Sequence, residues 1–423
     1  MNRLLQILKI EDLRKKILIV AGLLIAFRIL AAIPIPGIDP IRLREYFSSN
    51  QLFGFLNIFS GGGLENLSVV MLGVGPYITA TIIMQLLTLI FPKFKELYHE
   101  EGAQGRAKFN QYSRLLTVPL AGLSAYGFLT LLTSQGVMDK PSLLGAIANV
   151  IIITTGSMLT LWFGELITEQ KIGNGISLII LAGIVTSLPQ FFGQAAASFT
   201  TGQLPAYVIF AVVSVLLIAG VVFLNEGERK IPIAYARRVR GMKLYGGSSS
   251  YLPLKVNQAG MIPLIFAISV MLFPQFLAQI LSVFSTGFAL KVSGLINAFL
   301  NNQIFYGVFY FLLVFIFTYF YTSITFDPNE ISKNLQRSGG FVPGIRPGDT
   351  TSRFFSKTIS RLTFFGAVFL GLIAILPLII QPLTGIPVLN ISGTALLIVV
   401  AVALETMRQI NSQLTVREYD SLE

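Results

Sequence analysis

Few side chains in the apolar stretches of this sequence could do acid–base or metal chemistry. Arg28 lies well inside the first apolar stretch, whereas Glu165, Glu226 and Glu405 fall near the ends of such stretches, where they reach water or headgroups. The one histidine, His99, lies in a polar loop, and the chain has no cysteine. An ion-coupled pump needs ionisable groups at membrane depth, and many metal sites need thiolates or clustered histidines. The sequence favours neither.

Motifs for phosphate binding and hydrolysis do not stand where their structural context requires them. We find no Gly-rich phosphate loop with its lysine, no HExxH and no Gly-x-Ser-x-Gly elbow in such a context. The sequence Gly173-Asn174-Gly175 has no strand before it, so we interpret it as a turn followed by the start of a helix. We therefore expect neither an enzyme nor a cofactor. For Arg28 we expect a packing role, through bonds to carbonyls or a polar side chain, with substrate contact as the alternative.

Pairs of isoleucines suggest a function that needs no charge. On a helix, Ile78 and Ile82 lie one turn apart on one face, and Ile176 and Ile180 repeat that spacing. A ring of such side chains can close a pore by dewetting. Because isoleucine is abundant in this chain, the spacing by itself fits lipid-facing or packing roles as well.

Membrane-spanning helices would have to position these residues. Of the 423 residues, 53% are hydrophobic and 12% are charged, which is more apolar surface than one soluble core of this size would bury. Windows of about 20 mostly apolar residues predict ten spans. They cover residues 17–34, 74–91, 115–134, 147–167, 174–192, 205–225, 258–277, 303–325, 361–381 and 391–410.

The second apolar stretch, Ile58 to Ile90, is broken twice, by Gly61–Gly63 and by Gly73–Pro76. The piece between the breaks, Leu64 to Leu72, would be roughly 13 Å long as a helix, far short of the ~30 Å of a bilayer core. It can enter the membrane but cannot cross it. Irregular backbone is tolerated at that depth only where protein buries it or water reaches it, so we predict an internal cavity, and hence a channel or a carrier.

Lysine and arginine are unevenly distributed along the chain. Of the 31, the N-terminal segment, every second loop and the tail hold 26, the other loops hold 4, and the last is Arg28. Because these residues accumulate on the cytoplasmic side, both termini are predicted to be cytoplasmic. The formal net charge of +11 could suggest nucleic acid, but this topology signal and anionic lipid headgroups account for most of it.

The ten spans divide into five and five at a polar stretch. An odd number of spans in each half makes the halves oppositely oriented, as in the inverted repeats of transporters. We predict an N-terminal half at 1–190, an outer hinge loop at 191–204, a C-terminal half at 205–410 and a short cytoplasmic tail at 411–423. For the hinge, an ordinary surface loop is an equal interpretation.

Two cytoplasmic loops, 226–257 and 326–360, are longer than the others, and both are basic. The first has a Gly/Ser tip at 246–250 between stretches of strand character, which predicts a protruding hairpin. The second is dense in glycine and proline at 339–348, which predicts a loop of defined shape. Such loops suggest docking to an acidic or RNA-rich partner, with plain membrane anchoring as the alternative.

Several motifs occur in a fixed order along the chain. They are Ile33–Asp39, Gly75–Ala80, Ile172–Ser177, Asn225–Pro232, Lys255–Asn257 and Phe341–Gly348. On these residues the chain, from span 1 to span 10, resembles the SecY family, the channel-forming subunits of the bacterial Sec protein translocase.

The resemblance implies an all-α polytopic membrane fold. Ten transmembrane helices in two inverted five-helix halves would form a clamshell around a central hourglass pore, with a short re-entrant plug helix. Such a channel passes unfolded secretory polypeptides across the bacterial cytoplasmic (inner) membrane and releases transmembrane segments laterally, driven by a partner motor or ribosome. A secondary transporter of a small solute is the competing interpretation, and a non-conducting assembly scaffold is a third.

The resemblance also implies site residues. The pore ring would comprise Ile78, Ile82, Ile176, Ile180, Ile265 and Ile398. The plug, about residues 59–72, would include Phe59, Ser60, Gly61, Gly62, Gly63, Leu64, Glu65, Asn66, Leu67 and Ser68. The polar residues of a lateral gate would be Thr81, Gln85 and Ser269. Motor and ribosome docking would use Arg237, Arg238, Arg240 and Lys243 in the first long loop and Arg346 in the second.

The partners that the resemblance implies follow from this function. They are the SecE and SecG subunits, the SecA motor ATPase, the ribosome through its rRNA and exit-tunnel proteins, signal peptides, nascent chains and anionic lipids.

Overall fold

The computed structural model is mostly helical. It describes residues 10–36, 60, 62–64, 66–99, 101–134, 136–197, 199, 201–235, 238–240, 243–245, 249–283, 291–292, 294–296, 298–299, 302–384 and 392–420. Four of the predicted site residues lie outside the described residues, namely Phe59, Gly61, Glu65 and Arg237.

Helices account for most of the described residues. They are α1 (Glu11–Ala31), α2 (Gly75–Ile90), α3 (Pro92–His99), α4 (Gly102–Ser134), α5 (Leu143–Glu169), α6 (Gly175–Ala197), α7 (Leu204–Glu226), α8 (Ile262–Val283), α9 (Gln303–Thr325), α10 (Pro328–Arg337), α11 (Asp349–Thr384) and α12 (Ser392–Asp420). Apart from α3 and α10, each overlaps one of the predicted spans.

Helix length and apolar composition support a multi-pass membrane protein. Within the described residues, six helices are long and apolar enough to cross a membrane, or up to seven if α2 and α3, which meet at a bend of 111°, form one span. Shorter apolar helices cover Gly175–Pro189 in α6 and Ile262–Met271 in α8. The N-terminal part of α1 is polar, and its Glu11 and Asp12 pair with Lys15 and Lys16 one turn later.

The chain divides into two units, and the first comprises residues 1–207, 269–300 and 386–423. In it α4 packs against α2, α3 and α5, α5 also packs against α1 and α6, and α6 packs against α12. The start of α6 lies against α5 so closely that a Cβ at Gly175 would overlap the carbonyl oxygen of Gly164. Asn174 caps α6, its Oδ1 accepting hydrogen bonds from the backbone N–H groups of Ile176 (3.1 Å) and Ser177 (3.2 Å). The predicted turn and helix start at Gly173–Gly175 are thus confirmed.

The second unit comprises residues 208–268 and 301–385. Its helix α9 packs along α11, and the short helix α10 packs against the start of α11. Small residues permit these close contacts, since a Cβ at Gly371 would lie 2.6 Å from ring atoms of Phe311. Asp327 caps α10 by accepting a hydrogen bond from the Asn329 N–H at 2.8 Å, and proline follows it at the first helical position.

A small antiparallel sheet joins the two long loops within the second unit. Its strand order is β4 (Ser249–Lys255), β1 (Glu228–Tyr235), β5 (Gly340–Phe341), so the third strand comes from the second loop. A separate hairpin pairs β2 (Arg238–Arg240) with β3 (Lys243–Tyr245). The loop 226–257 thus contains antiparallel strand pairs as predicted, but the hairpin predicted with its tip at 246–250 is wrong, because β3 pairs with β2 and β4 pairs with β1. Beneath the sheet lies a hydrophobic cluster of Ile231, Leu254, Val342, Phe355 and Ile359.

The stretch predicted as a short helix between the two glycine breaks is different in the structure. The described residues of 60–74, which we call the buried turn segment, form successive turns rather than a helix. Backbone hydrogen bonds span three residues, as from the Leu67 N–H to the Leu64 carbonyl (3.0 Å) and from Met71 to Ser68 (2.9 Å). The helical prediction is wrong for these residues because the backbone at Leu67 and Val69 pairs with the chain that follows α1 instead of continuing a helical ladder.

Candidate functional site

The buried turn segment is packed into the first unit although it lacks regular structure. Leu64, Leu67 and Met71 are each at most 2% exposed and belong to one hydrophobic cluster. Phe128 of α4 and Ile153 of α5 are in the same cluster. Irregular backbone at this position is therefore covered by protein, which is the condition for tolerating it in a membrane.

Hydrogen bonds close the turns of this segment. The Ser60 hydroxyl accepts from the Leu64 N–H at 3.0 Å, and the Ser68 hydroxyl donates to the Gly63 carbonyl at 2.9 Å. A short antiparallel bridge joins the segment to the end of α1, with Ile35 N–H donating to the Leu67 carbonyl at 3.0 Å. The backbone groups that a helix would have paired are satisfied in this other way.

Helix α5 provides a close-fitting surface for the segment. A Cβ at Gly156 would overlap the carbonyl oxygen of Val69, so only glycine allows the observed approach. The next residue, Ser157, donates a hydrogen bond from its hydroxyl to the Gly73 carbonyl at 2.9 Å. We did not predict these two residues as part of the site. Adjacent small residues inside an apolar span are typical of close packing in membranes, and that signal could have identified them.

Arg28, the arginine inside span 1, contacts the same segment. Its Nη1 lies 2.7 Å from the position that a Cβ at Gly62 would occupy. Gly62 has φ +80°, a conformation that glycine adopts readily and other residues do not. A side chain at residue 62 would therefore meet both backbone strain and the guanidinium. The position of Arg28 fits the packing role expected of it.

The predicted pore-ring isoleucines are mostly buried. In the first unit, Ile78 and Ile82 of α2, Ile180 of α6 and Ile398 of α12 are each at most 6% exposed. Ile176 is half-buried, and its Cγ1 lies 3.2 Å from where a Cβ of Gly164 would be, so it also packs against α5. Helices α6 and α12 are neighbours, which brings two of the ring-bearing helices together. Ile265 of α8 is buried in the second unit.

The predicted gate residues differ in their hydrogen bonding. The Thr81 hydroxyl donates to the Tyr77 carbonyl in its own helix at 2.9 Å. Gln85 is buried, and its side-chain oxygen has no hydrogen-bond partner among the described residues. Ser269 is half-buried on α8. A buried amide oxygen without a partner is costly, which makes Gln85 the one of the three whose surroundings need an explanation beyond packing.

The charged residue Glu165, expected near a span end, has a basic partner. Its Oε1 lies 2.6 Å from Nε of Arg114, which links α5 to the polar start of α4. The two side chains are partly exposed, at 26% and 49% respectively. This pair is therefore a link between α4 and α5.

The predicted docking residues belong to the two joined loops of the second unit. Arg346 is exposed, and its carbonyl accepts a hydrogen bond from the Thr351 hydroxyl at 2.8 Å. The loop around it turns through Gly344 (φ +81°) and Gly348 (φ +99°), as the Gly and Pro density predicted. Arg238, Arg240 and Lys243 lie on the β2–β3 hairpin, and the placement of their side chains is outside what the structure describes.

Comparison with known proteins gives one consistent result. The family model described as SecY matches residues 68–407. A protein translocase subunit SecY from Thermus thermophilus is 43% identical over 427 residues, covering 98% of this chain and 95% of that protein. Its counterpart from Mycobacterium tuberculosis is 40% identical over 434 residues, covering 98% and 97%.

Solved structures share the fold at lower sequence identity. One titled as the structure of a protein conducting channel superposes with a TM-score of 0.65 and 20% identity, covering 93% of this chain and 91% of that one. The channel of a canine ribosome-channel complex from the endoplasmic reticulum superposes with a TM-score of 0.63 and 20% identity, with the same coverage. With both a matching family model and relatives at this identity over nearly the whole chain, the protein belongs to the SecY family.

Proposed function

We propose that this protein is the central subunit of a protein-conducting channel. It passes unfolded secretory polypeptides across a membrane and releases transmembrane segments laterally. The observation that carries the proposal is the roughly 40% identity, over nearly the full chain, to translocase subunits named SecY. The protein is a channel and not an enzyme, so energy comes from a partner.

In this proposal the channel is a clamshell of two inverted five-helix halves, residues 1–190 and 205–410, joined by the outer loop 191–204. The six isoleucines of the ring surround an hourglass pore. A pore for unfolded chains meets side chains of every kind, so its wall should bind none of them well. Isoleucine suits that need because it offers no hydrogen bond or charge, and it can close around a moving chain to limit ion leak.

The buried turn segment is the plug in this proposal. It seals the resting channel through its packing against α4 and α5, and it leaves when a translocating chain arrives. Two features support a displaceable element: its described backbone has no helical ladder to break, and Leu67 has φ +40°. A non-glycine residue held in that region costs about 1–3 kcal/mol, which favours release.

Opening requires a ligand that binds the open state more tightly than the closed state. We propose that signal peptides and nascent chains are that ligand and enter at a lateral gate that includes Thr81, Gln85 and Ser269. The orphaned amide oxygen of Gln85 supports this assignment, since an incoming segment with a polar group could satisfy it.

The two joined loops are the proposed docking platform for a driving partner. Two partners suit it: the ribosome, which a structural neighbour binds according to its title, and the SecA motor ATPase. Arg346, Arg238, Arg240, Lys243 and Arg237 would supply the positive charge. SecE and SecG are the proposed companion subunits, with anionic lipids around them. The proposed location is the bacterial cytoplasmic membrane, with both termini in the cytoplasm, as the lysine and arginine distribution predicts.

Reconstitution into proteoliposomes tests this function. The purified protein with its companion subunits, supplied with SecA and ATP, should bring a secretory precursor into a protease-protected state. A precursor without its signal peptide is the control and should stay accessible. Failure of protection, together with saturable uptake of a small solute, would contradict the proposal and favour a carrier.

A further inference from the structure

A basic cleft lies at the base of α11 in the second unit. It has a volume of about 520 Å³. Its walls include Asn329 of α10 and five residues of α11: Ser352, Arg353, Ser356, Lys357 and Ser360. The docking residue Arg346 does not line it. The cleft is thus a separate feature of the same loop region.

The residue types in the cleft match the needs of a phosphate group. Two cations stand one helical turn apart, at Arg353 and Lys357, and three serines repeat at the same spacing, so both sets lie on the cleft side of α11. Among the described residues that line the cleft, none is acidic. Arginine forms a planar donor fork that suits phosphate oxygens, lysine adds a point charge, and hydroxyls can donate further hydrogen bonds.

Neither cation is engaged by a carboxylate of the described residues. In the part of the chain that the structure describes, the ion pairs involve other residues, and Arg353 and Lys357 make none. Positive groups gathered in one concavity without a counter-ion repel each other and raise the local affinity for an anion. If Arg353 and Lys357 served only as a solvent-exposed charged surface, neither the row of serines nor the concave shape would be expected.

One side of the cleft is held in place before any ligand arrives. Ser352 is 8% exposed, and its hydroxyl donates to Oδ1 of Asn329 at 2.6 Å. That bond fixes the amide so that its Nδ2 remains available to donate. Ser332 of α10 donates to the Gly348 carbonyl at 2.8 Å, which ties α10 to the chain just before α11. This fixed side reduces the conformational entropy lost on binding, although the exposed Arg353 and Lys357 would still become ordered by the ligand.

The surroundings favour a phospholipid over a free anion. The predicted span begins at residue 361, so Ser360 lies where the helix meets the membrane surface. One turn farther, Phe364 and Phe365 are 48% and 67% exposed, which provides an apolar surface for acyl chains. The hydroxyl of Tyr319 on α9 donates to the Ser360 carbonyl at 3.3 Å, and tyrosine is typical of the membrane interface.

We propose that the cleft binds the phosphate headgroup of one anionic phospholipid, with the acyl chains lying along α11 beyond Ser360. Arg353 and Lys357 would hold the phosphate oxygens, and the hydroxyls of Ser356 and Ser360 would donate to them. The lipid would anchor the base of α11 beside the docking platform. This proposal rests on the proposed cytoplasmic placement of the loop, but not on protein conduction.

Lipid retention by the purified complex tests the proposal without any translocation. The complex is exchanged from membranes of phosphatidylcholine with a minor fraction of phosphatidylglycerol into mild detergent, and bound phosphatidylglycerol is counted by native mass spectrometry. A double variant, R353Q with K357Q, should lose one tightly held phosphatidylglycerol. Because both cations of the site are neutralised, its affinity for that lipid should fall about tenfold or more.

A charge-matched control separates a site from general attraction. Lys333→Gln with Arg337→Gln removes two exposed cations of α10 that do not line the cleft, and it should keep the lipid. A further variant, Ser356→Asp, leaves both cations but places a carboxylate in the cleft, and it should also lose the lipid. Equal retention by wild type and R353Q/K357Q would overturn the proposal, as would equal loss in the α10 control.

Two competition arms distinguish the source of the phosphate. Inorganic phosphate at concentrations that leave the complex intact should not displace the bound phosphatidylglycerol, and neither should an RNA hairpin. Displacement by inorganic phosphate would show a free-anion site instead of a lipid site. Displacement by the hairpin, lost in R353Q/K357Q, would assign the cleft to an RNA backbone and overturn the lipid proposal.

Discussion

The buried turn segment is buried but irregular, whereas the three-stranded sheet of the joined loops is regular and carries exposed charges. The segment is mostly buried, yet its described residues form only turns and one short bridge. The sheet carries exposed charges such as Arg229 and Lys230, yet β1 pairs with β4 without a break from Glu228 to Ala234. In most proteins the regular elements are the buried ones, because helices and strands satisfy backbone groups away from water.

The difference fits our proposal that the sheet is a fixed docking platform and that the buried turn segment is a displaceable plug. The sheet gains its stability from a continuous hydrogen-bond ladder and from the cluster beneath it, so it can present charges to a partner in a fixed arrangement. The segment is held instead by side-chain packing in a hydrophobic cluster and by the close fit at Gly156 and Ser157. A close fit is lost all at once when the neighbours separate, which is the behaviour expected of a removable seal.

The largest expected effect comes from removing the segment. Deleting Ser60 to Ser68 should raise the resting ion conductance several-fold in planar bilayers, because the cavity then loses the packed element that fills it. The matched control deletes an equal number of residues, 237–245, at the β2–β3 hairpin. It should leave the resting conductance unchanged. A sealed and normally gated channel after the first deletion would contradict the assignment of a plug.

The second largest effect is expected from reversing a charge in the proposed docking platform. Arg346→Glu should weaken binding of ribosomes or SecA by about tenfold or more, since it reverses a charge at the proposed phosphate- or acid-binding surface. Resting conductance should not change. Lys333→Glu alters the charge equally at an exposed position on α10 and serves as the control. If the two variants bind equally well in cosedimentation, Arg346 has no special role in docking.

Adding one methyl group at Gly156 tests the close fit between the buried turn segment and α5. Gly156→Ala places a Cβ against the Val69 carbonyl, so the segment or the helix must shift, at about 1–3 kcal/mol. The expected results are a lower unfolding temperature and a measurable resting leak. Gly127→Ala on α4 is the control, because nothing lies within 4 Å of its Cβ position, and a helical Gly→Ala change by itself stabilises by up to about 1 kcal/mol. Equal stability in both variants would show that the contact at Gly156 is unimportant.

The smallest expected effect concerns one hydrogen bond. Ser157→Ala removes the donor to the Gly73 carbonyl and should cost about 1 kcal/mol of resting-state stability. Thr155→Ala on the same helix is the comparison, because the Thr155 hydroxyl donates within its own helix, to Ile151 at 2.8 Å. Opening by a weak signal peptide should become easier in Ser157→Ala only. The same response in both variants would point to a general effect on α5.

Hydropathy predicted the positions of the membrane helices well but not their lengths. The span predicted at 303–325 coincides with α9, Gln303–Thr325. Helices α4, α11 and α12 extend beyond the predicted spans, to Gly102, Asp349 and Asp420 respectively. A hydropathy window registers only the apolar part of a helix, whereas hydrogen bonding and packing carry the helix on into polar sequence outside the membrane.

Long-range contacts explain what sequence patterns missed. The residues Leu64 to Leu72 look helical locally, but the pairing of Ile35 with Leu67 and the contact with Gly156 determine their backbone. Strand β5 has two residues, too few for any pattern, and it forms because it lies beside β1. The ring residues came from the family resemblance, since isoleucine spacing alone did not distinguish a pore from packing. Ile176 illustrates this, because it contacts Gly164 of α5.

Site-specific crosslinking tests the central claim most directly, because the chain has no cysteine of its own. Single cysteines are introduced by Ile82→Cys and Ile180→Cys, with Leu216→Cys, 66% exposed on α7, as the outward-facing control. A secretory chain with one cysteine, stalled during translocation, should form disulfides with residues 82 and 180 and not with 216. Crosslinks of equal yield at all three positions, or none at 82 and 180, would contradict a pore lined by these isoleucines.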